Sequence, residues 1–203
     1  MVPDFATTDQ LVDAVRLVNH ERRQARSRDL PYRLAVLGTD TTDLVEHVGG
    51  LLFDHIMAGW HVTVLVPPDA DSRPLHILGT QIIDLDTALA LDLVPALASR
   101  RHSPWPHKVV LAGSLCSRDA RLHESVVHSF DHGDTNTMVW GSQRPAADCN
   151  DFIPVEHQLS RAARAFKAHA LAATPAAGVD VAPVECFMGN TVHTAESPAL
   201  HLT

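Results

Sequence analysis

The stretch from Arg33 to Val66, RLAVLGTDTTDLVEHVGGLLFDHIMAGWHVTVLV, narrows the possible folds more than any other part of the chain. Arg33-Leu34-Ala35-Val36-Leu37 is an apolar run stopped by Gly38, which suits a strand buried on both faces. Thr39 to Asp43 is turn-forming, and Asp43 with Glu46 has the spacing of a capping box, so a helix is expected to start there. Leu44, Val45, Val48, Leu51, Leu52 and Ile56 recur at three and four residues and give that helix a wide apolar face. Gly59 ends it, and His61 to Val66 is a second, β-branched strand stopped by Pro67-Pro68. A helix joining two strands over so short a distance predicts a right-handed parallel crossover.

The remaining chain repeats this alternation. Thr7 to Arg28 is predicted helical, with a solvated second half ending before Pro31. Leu75 to Leu78 makes a helical turn, Ile82 to Leu85 a short strand, and Asp86 caps a helix running to Leu97. Lys108 to Ala112 is a third firm strand, Ser117 a cap for the next helix, and Thr137 to Trp140 a fourth strand. Ser142 to Pro154 has loop composition, Glu156 to Ala173 helical spacing, and Val181 to Phe187 edge-strand character. The expected class is α/β, with three layers, a mostly parallel sheet and helices on both faces. Residues 1–32 form an N-terminal helix and linker, 33–189 a single α/β domain, and 190–203 a flexible tail.

Composition removes several functions. The 203 residues, 45% of them hydrophobic, suffice for one domain with a substantial core. No run is apolar enough to span a membrane, and MVPDFATTDQ lacks a signal pattern, so a cytoplasmic protein with no membrane partner is expected. The net charge of −8 opposes direct nucleic-acid binding; the basic stretches that could override it are HERRQARSRD and the pair Arg161 and Arg164, whose contact with DNA would weaken steeply with salt. Cys116, Cys149 and Cys186 are odd in number and far apart, which favours neither disulfides nor a zinc motif. Lysine occurs only at Lys108 and Lys167.

Ligands of parallel sheets sit beyond the carboxyl ends of the strands, which here means 38–43, 67–74, 113–117 and 141–154. A phosphate loop starting at Gly38 would need glycine at Asp43, lysine at Leu44 and a hydroxyl at Val45, and has none of them. Asp40 and Asp43 add negative charge where phosphate needs positive charge. Cys116 opens a helix after a strand, yet no acid or base is tied to it by sequence. His123-Glu124 with His128 has one residue too many for a zinc helix, turning the two imidazoles about 140° apart, while His128 and His132 lack a clear third ligand. His55, His61, His76 and His107 are expected to satisfy local hydrogen bonds. No catalytic residue, cofactor or metal is therefore expected. The surface candidates for a partner are Trp105, flanked by prolines, and the helix face predicted to carry His157, Arg161 and Arg164.

In layout the chain resembles the RecA-like recombinase core. VLGTDTTDLVEHVGGLLFDHIMAGWHVTVLV matches strand, phosphate-loop position, helix and strand, RPLHILGTQIIDL a helical turn and short strand, and HKVVLAG the Walker B strand. NTMVWGSQR is similar to the following strand with its glutamine, here Gln143, and RAARAFKAHAL to the next helix. Without the loop lysine and the Walker B carboxylate, the chain is similar to the phosphate-loop-less SulA/ImuA group. That resemblance implies a non-catalytic factor acting through protein contacts in the DNA-damage response, in translesion synthesis or cell-division control. The alternative is a small-molecule enzyme or ligand-binding protein on a Rossmann-like or flavodoxin-like sheet, using Cys116 or histidines near the strand ends.

Overall fold

A computed structural model describes residues 32–90, 106–118, 120, 123, 136–141 and 153–189. The elements run β1 (Arg33–Leu37), α1 (Thr41–Met57), β2 (His61–Val66), α2 (Arg73–Ile77), β3 (Gln81–Asp84) and α3 (Leu85–Ala90). They continue with β4 (Lys108–Ala112), α4 (Gly113–Arg118), β5 (Asn136–Trp140), β6 (Ile153–Gln158), α5 (Arg161–Ala172) and β7 (Val184–Gly189). Seven strands form one sheet in the order β3-β2-β1-β4-β5-β7-β6. β1 pairs in parallel with β2 and β4, and β3 and β5 extend the parallel sheet outward. The chain order reverses between β1 and β4, so right-handed connections place α1 and α2 on one face and the short helices α3 and α4 on the other. The fold is the mixed α/β class expected, a three-layer Rossmann-like arrangement.

β1 and β2 carry the centre of the core. Leu34, Ala35, Val36 and Leu37 have no exposed surface, and neither do Leu44, Val45, Val48 and Leu52 on α1. The helix starts earlier than the sequence predicted: Asp40 is the cap, and its Oδ1 accepts the Asp43 amide at 2.8 Å. Both aspartates in TDTTD can cap. Choosing Asp40 lets Thr41 enter the helix and puts Asp43 in its first turn. Gly38 is explained by packing, since a Cβ there would lie 2.8 Å from Leu44 Cδ1.

Two other boundaries move for similar reasons. α3 is opened by Asp84, whose carboxylate accepts the amides of Asp86 and Thr87, so Asp86 is not its cap. α4 begins directly at Gly113, upstream of Ser117. The largest departure is at Ile153–Gln158, where the sequence predicts a loop and the start of a helix and the chain instead forms strand β6. Its partly buried positions, Val155 and His157, alternate with exposed ones, a period of two that is too short to stand out. Pro154 fits because β6 lies at the edge of the sheet. α5 begins only at Arg161, capped by Ser160 Oγ on the Ala163 amide.

β7 pairs with β5 only at Met138 and Val139, then runs beyond it alongside β6 and lies across α1. There Glu185 accepts the Gly50 and Leu51 amides, each at 2.8 Å, and the Lys167 ammonium of α5 at 2.6 Å. Both charged residues are almost fully buried. A carboxylate can reach two successive amides in mid-helix only where they turn from, or share, the carbonyls four residues earlier, and where no side chain blocks the approach. Gly50 meets that need, for a Cβ there would stand 2.3 Å from Leu159. Removing one partner of a buried pair leaves the other uncompensated, at about 3–5 kcal/mol. Urea unfolding should therefore show Lys167→Met to be less stable by about 3 kcal/mol, with Lys167→Met/Glu185→Gln recovering part of the loss. A single variant within 0.5 kcal/mol of wild type, on the order of an ordinary surface change, would rule out this account.

Candidate functional site

The carboxyl edge of the parallel strands is organised by Asp43. It stands in the first turn of α1, reached directly from β1, and Trp140 comes to it from the end of β5. The indole Nε1 of Trp140 donates to Asp43 Oδ2 at 2.9 Å. One turn along α1, His47 Nδ1 lies 2.9 Å from the Asp43 carbonyl and 3.2 Å from its Oδ1. Both neighbours of Nδ1 are acceptors, so Nδ1 carries the proton and Nε2 presents a lone pair.

The electrostatics follow from these contacts. The hydrogen bond from His47 holds the Asp43 carboxyl below its ordinary value, helped by the Trp140 indole and opposed by partial burial. The same hydrogen bond raises the His47 imidazole above its ordinary value, against its own partial burial, with Glu46 adding a smaller push. The side chains remain 41% and 42% exposed for His47 and Asp43, so a ligand can reach them. A buried or surface-satisfied pair would not combine this access with a third, inter-element anchor. A base held by an orienting carboxylate, with its other nitrogen outward, is equipped for proton transfer.

His47 also borders a cleft of about 270 Å³ between α1, α5 and the chain leading into β7. Glu46, Lys167, Asp180 and Glu185 are among its charged walls. Both Asp43 oxygens are already engaged, and among the described residues no group of three His, Cys, Asp or Glu side chains could hold a metal ion. The described residues thus do not assemble a metal centre.

The residues predicted from sequence fall elsewhere. Arg161 and Arg164 are exposed on α5, but His157 lies on β6 and points inward, its Nε2 3.0 Å from Asp54 Oδ2. The three do not share a helix face, because the helix they were assigned to begins after His157. Trp105, Gln143, Glu124, His128, His132 and the Cys116 side chain lie outside the described residues. His55 Nδ1 donates to the Leu51 carbonyl, and His107 Nδ1 accepts the Arg33 amide. The sequence reading missed His47 and Trp140 as site residues. The available signal was an aspartate and a histidine four apart at the first strand-to-helix junction, which capping logic absorbed. Among the described residues no helix is long and apolar enough to cross a membrane.

No protein-family model and no curated protein matches the sequence. Solved structures do resemble the fold. The antimicrobial reagent A40926 pseudoaglycone deacetylase Dbv21 superposes with a TM-score of 0.52 at 15% identity, covering 82% of this chain and 100% of that one. The deacetylase of the teicoplanin biosynthesis pathway, in complex with teicoplanin, also gives 0.52, at 11% identity, covering 77% of this chain and 97% of that one. These likenesses establish the fold and overturn the RecA-like resemblance. Strand, turn, apolar helix, glycine and strand make up any right-handed βαβ unit, so that resemblance carried the class of sheet and nothing more specific. With it falls the reading as a non-catalytic SulA/ImuA-type factor of the DNA-damage response acting through protein contacts.

Because Asp43 raises the His47 pKa, the folded state is favoured by this pair below pH ~6.5, and that contribution fades as pH rises through the folded value. The lowered pKa of Asp43 acts in the other direction, its contribution being present above pH ~3.9 and lost on acidification. In an NMR titration, Asp43→Asn should bring the His47 midpoint down to or below that of an ordinary histidine. Trp140→Phe should raise the Asp43 midpoint. An unmoved His47 midpoint in Asp43→Asn would show that the pair is not coupled.

Proposed function

We propose that this protein is a small-molecule enzyme that removes an acyl group from a polar compound by hydrolysis, with His47 as the general base and Asp43 as its positioning partner. The observation that carries the reading is the three-way contact Trp140–Asp43–His47 at the carboxyl edge of the sheet. It is supported by the deacetylases whose fold this chain shares.

The chemistry follows from the hydrogen bonds. With Nδ1–H fixed on Asp43, the Nε2 lone pair of His47 takes a proton from a water attacking the acyl carbon. Asp43 stabilises the imidazolium that forms, and the raised pKa keeps the proton on His47 long enough to be handed to the departing nitrogen or oxygen. Trp140 keeps the carboxylate from rotating away, so the base is aimed before substrate arrives. The cleft beside His47 gives the body of the substrate a place to lie.

The test is release of free amine from a panel of N-acetylated and longer-chain N-acylated polar amines, followed by an amine-reactive fluorophore. Wild type should turn over at least one of them, and His47→Ala should lower kcat by about 100-fold or more while the fold, checked by circular dichroism, is kept. Asp43→Asn should lower kcat and leave KM nearly unchanged, because Asp43 acts through His47. Binding of one of these compounds, seen as a rise in Tm, with no amine released from any of them would mean a ligand-binding protein and would overturn the enzymatic reading.

A further inference from the structure

The opposite, amino-terminal edge of the sheet carries a second cluster that the proposed reaction does not use. Tyr32 stacks on Trp60 with ring centroids 5.0 Å apart, and His107 and His55 meet these two rings edge-on. Lys108, at the start of β4, sets its ammonium 5.6 Å from the centre of the Trp60 ring and 3.4 Å from His55 Nε2. Since His55 Nδ1 donates to the Leu51 carbonyl at 2.8 Å, Nε2 is the nitrogen with the lone pair, and Lys108 is its donor.

The chain has two lysines, and they differ in kind. Lys167 is locked to the Glu185 carboxylate at 2.6 Å. Lys108 makes no ion pair with a carboxylate among the described residues. Asp54, next to His55 on α1, is committed to His157 Nε2 and to the Ser160 amide. Among the described residues the other titratable or charged groups at this edge are His107 beside Lys108, Arg33 and His61 at the starts of the neighbouring strands, and His157 against the His55 ring. An ammonium set against an aromatic ring and an imidazole lone pair, with no carboxylate paired to it among the described residues, is in the setting that turns lysine into an amine nucleophile.

We propose that Lys108 is a nucleophilic amine that captures aldehydes as imines, with His55 moving the proton. The Lys108 nitrogen lone pair forms the C–N bond while the carbonyl pair moves to oxygen. One N–H proton passes to His55 Nε2 and on to that oxygen, and the second leaves with it as water when the C=N bond closes. Aldehyde and amine thus give imine and water, and no oxidant or reductant is required. Burial lowers the Lys108 pKa, and burial followed by the Lys108 charge lowers that of His55 to about 4, so both are biased towards the neutral forms the step uses. The Tyr32–Trp60 stack, with Tyr32 60% exposed, favours an aldehyde on an aromatic body. This site is independent of the hydrolytic reading of the carboxyl edge.

The test uses the full chain, benzaldehyde and sodium cyanoborohydride, with adducts located by peptide mass spectrometry. At pH 7.5 the benzyl adduct on Lys108 should form at least tenfold faster than on Lys167, with the N-terminal amine as the internal reference. The Lys108 rate should rise to a plateau with a midpoint below the ~10.4 of an exposed lysine, and His55→Gln should slow it several-fold. Butanal should react more slowly than benzaldehyde. Labelling of Lys108 no faster than Lys167, or a midpoint at the exposed-lysine value in wild type, overturns the proposal. An unchanged rate in folded His55→Gln overturns the role of His55.

Discussion

The architecture turns on the Glu185 carboxylate inserted into the backbone of α1. It takes the Gly50 and Leu51 amides and the Lys167 ammonium together, which ties the middle of the long helix to β7 and to α5. In so apolar a setting neither charge is stable alone, and only their coincidence with two amide donors makes the arrangement favourable. The position of the antiparallel β6–β7 pair follows from it. That pair shares only a short register with β5, so its remaining length is held by what it meets on α1. The Phe53–Phe166 stack then closes α5 onto the same helix.

Fixing the middle of α1 also fixes its ends, where the same helix supports two opposite electrostatic situations. At the carboxyl edge Asp43 and His47 are of opposite charge and partly open to water, and each favours the ionised form of the other. At the amino edge His55 and Lys108 would be of like charge and are largely out of water: burial disfavours ionisation of both, and the Lys108 charge adds to that effect on His55. The first arrangement suits passing a proton to and from a substrate. The second suits presenting an unprotonated amine. About two turns of helix separate His47 from His55, and the buried Glu185–Lys167 pair meets the helix between them.

What could be read in the sequence was whatever local chemistry decides. The strands Arg33–Leu37, His61–Val66 and Lys108–Ala112 are continuous apolar runs whose burial requires no knowledge of neighbours, and the stripe Leu44 to Leu52 forces a helix. β6 was not legible because IPVEHQ is half polar and becomes a strand only through its pairing with Val184–Gly189. Gly50 was unremarkable until Glu185, far away in sequence, was seen to need the space. The site failed to show for the same reason: Trp140 sits nearly a hundred residues from Asp43 and reads as the end of an apolar strand until the sheet order places it against the opening of α1. Expecting a protein-contact factor came from noting which motifs were missing, and a missing motif says nothing about chemistry assembled from residues without one.

The charges at the opening of α1 also bear on what the carboxyl edge can accept. Asp40 caps the helix and Asp43 follows in its first turn, so the positive end of the helix dipole is already answered by two carboxylates, with Glu46 one turn on. A phosphate or carboxylate arriving there would meet like charge from Asp40 and Asp43. An uncharged acyl group meets no such penalty, and the cleft beside His47 is walled by the carboxylates of Glu46, Asp180 and Glu185, with Lys167 and the raised-pKa His47 opposing them. Lys167 is already neutralised by Glu185, which leaves the net field of the cleft negative. In the proposed hydrolysis an amine that becomes cationic in water would be released, and such a field would favour the charge developing on the departing nitrogen.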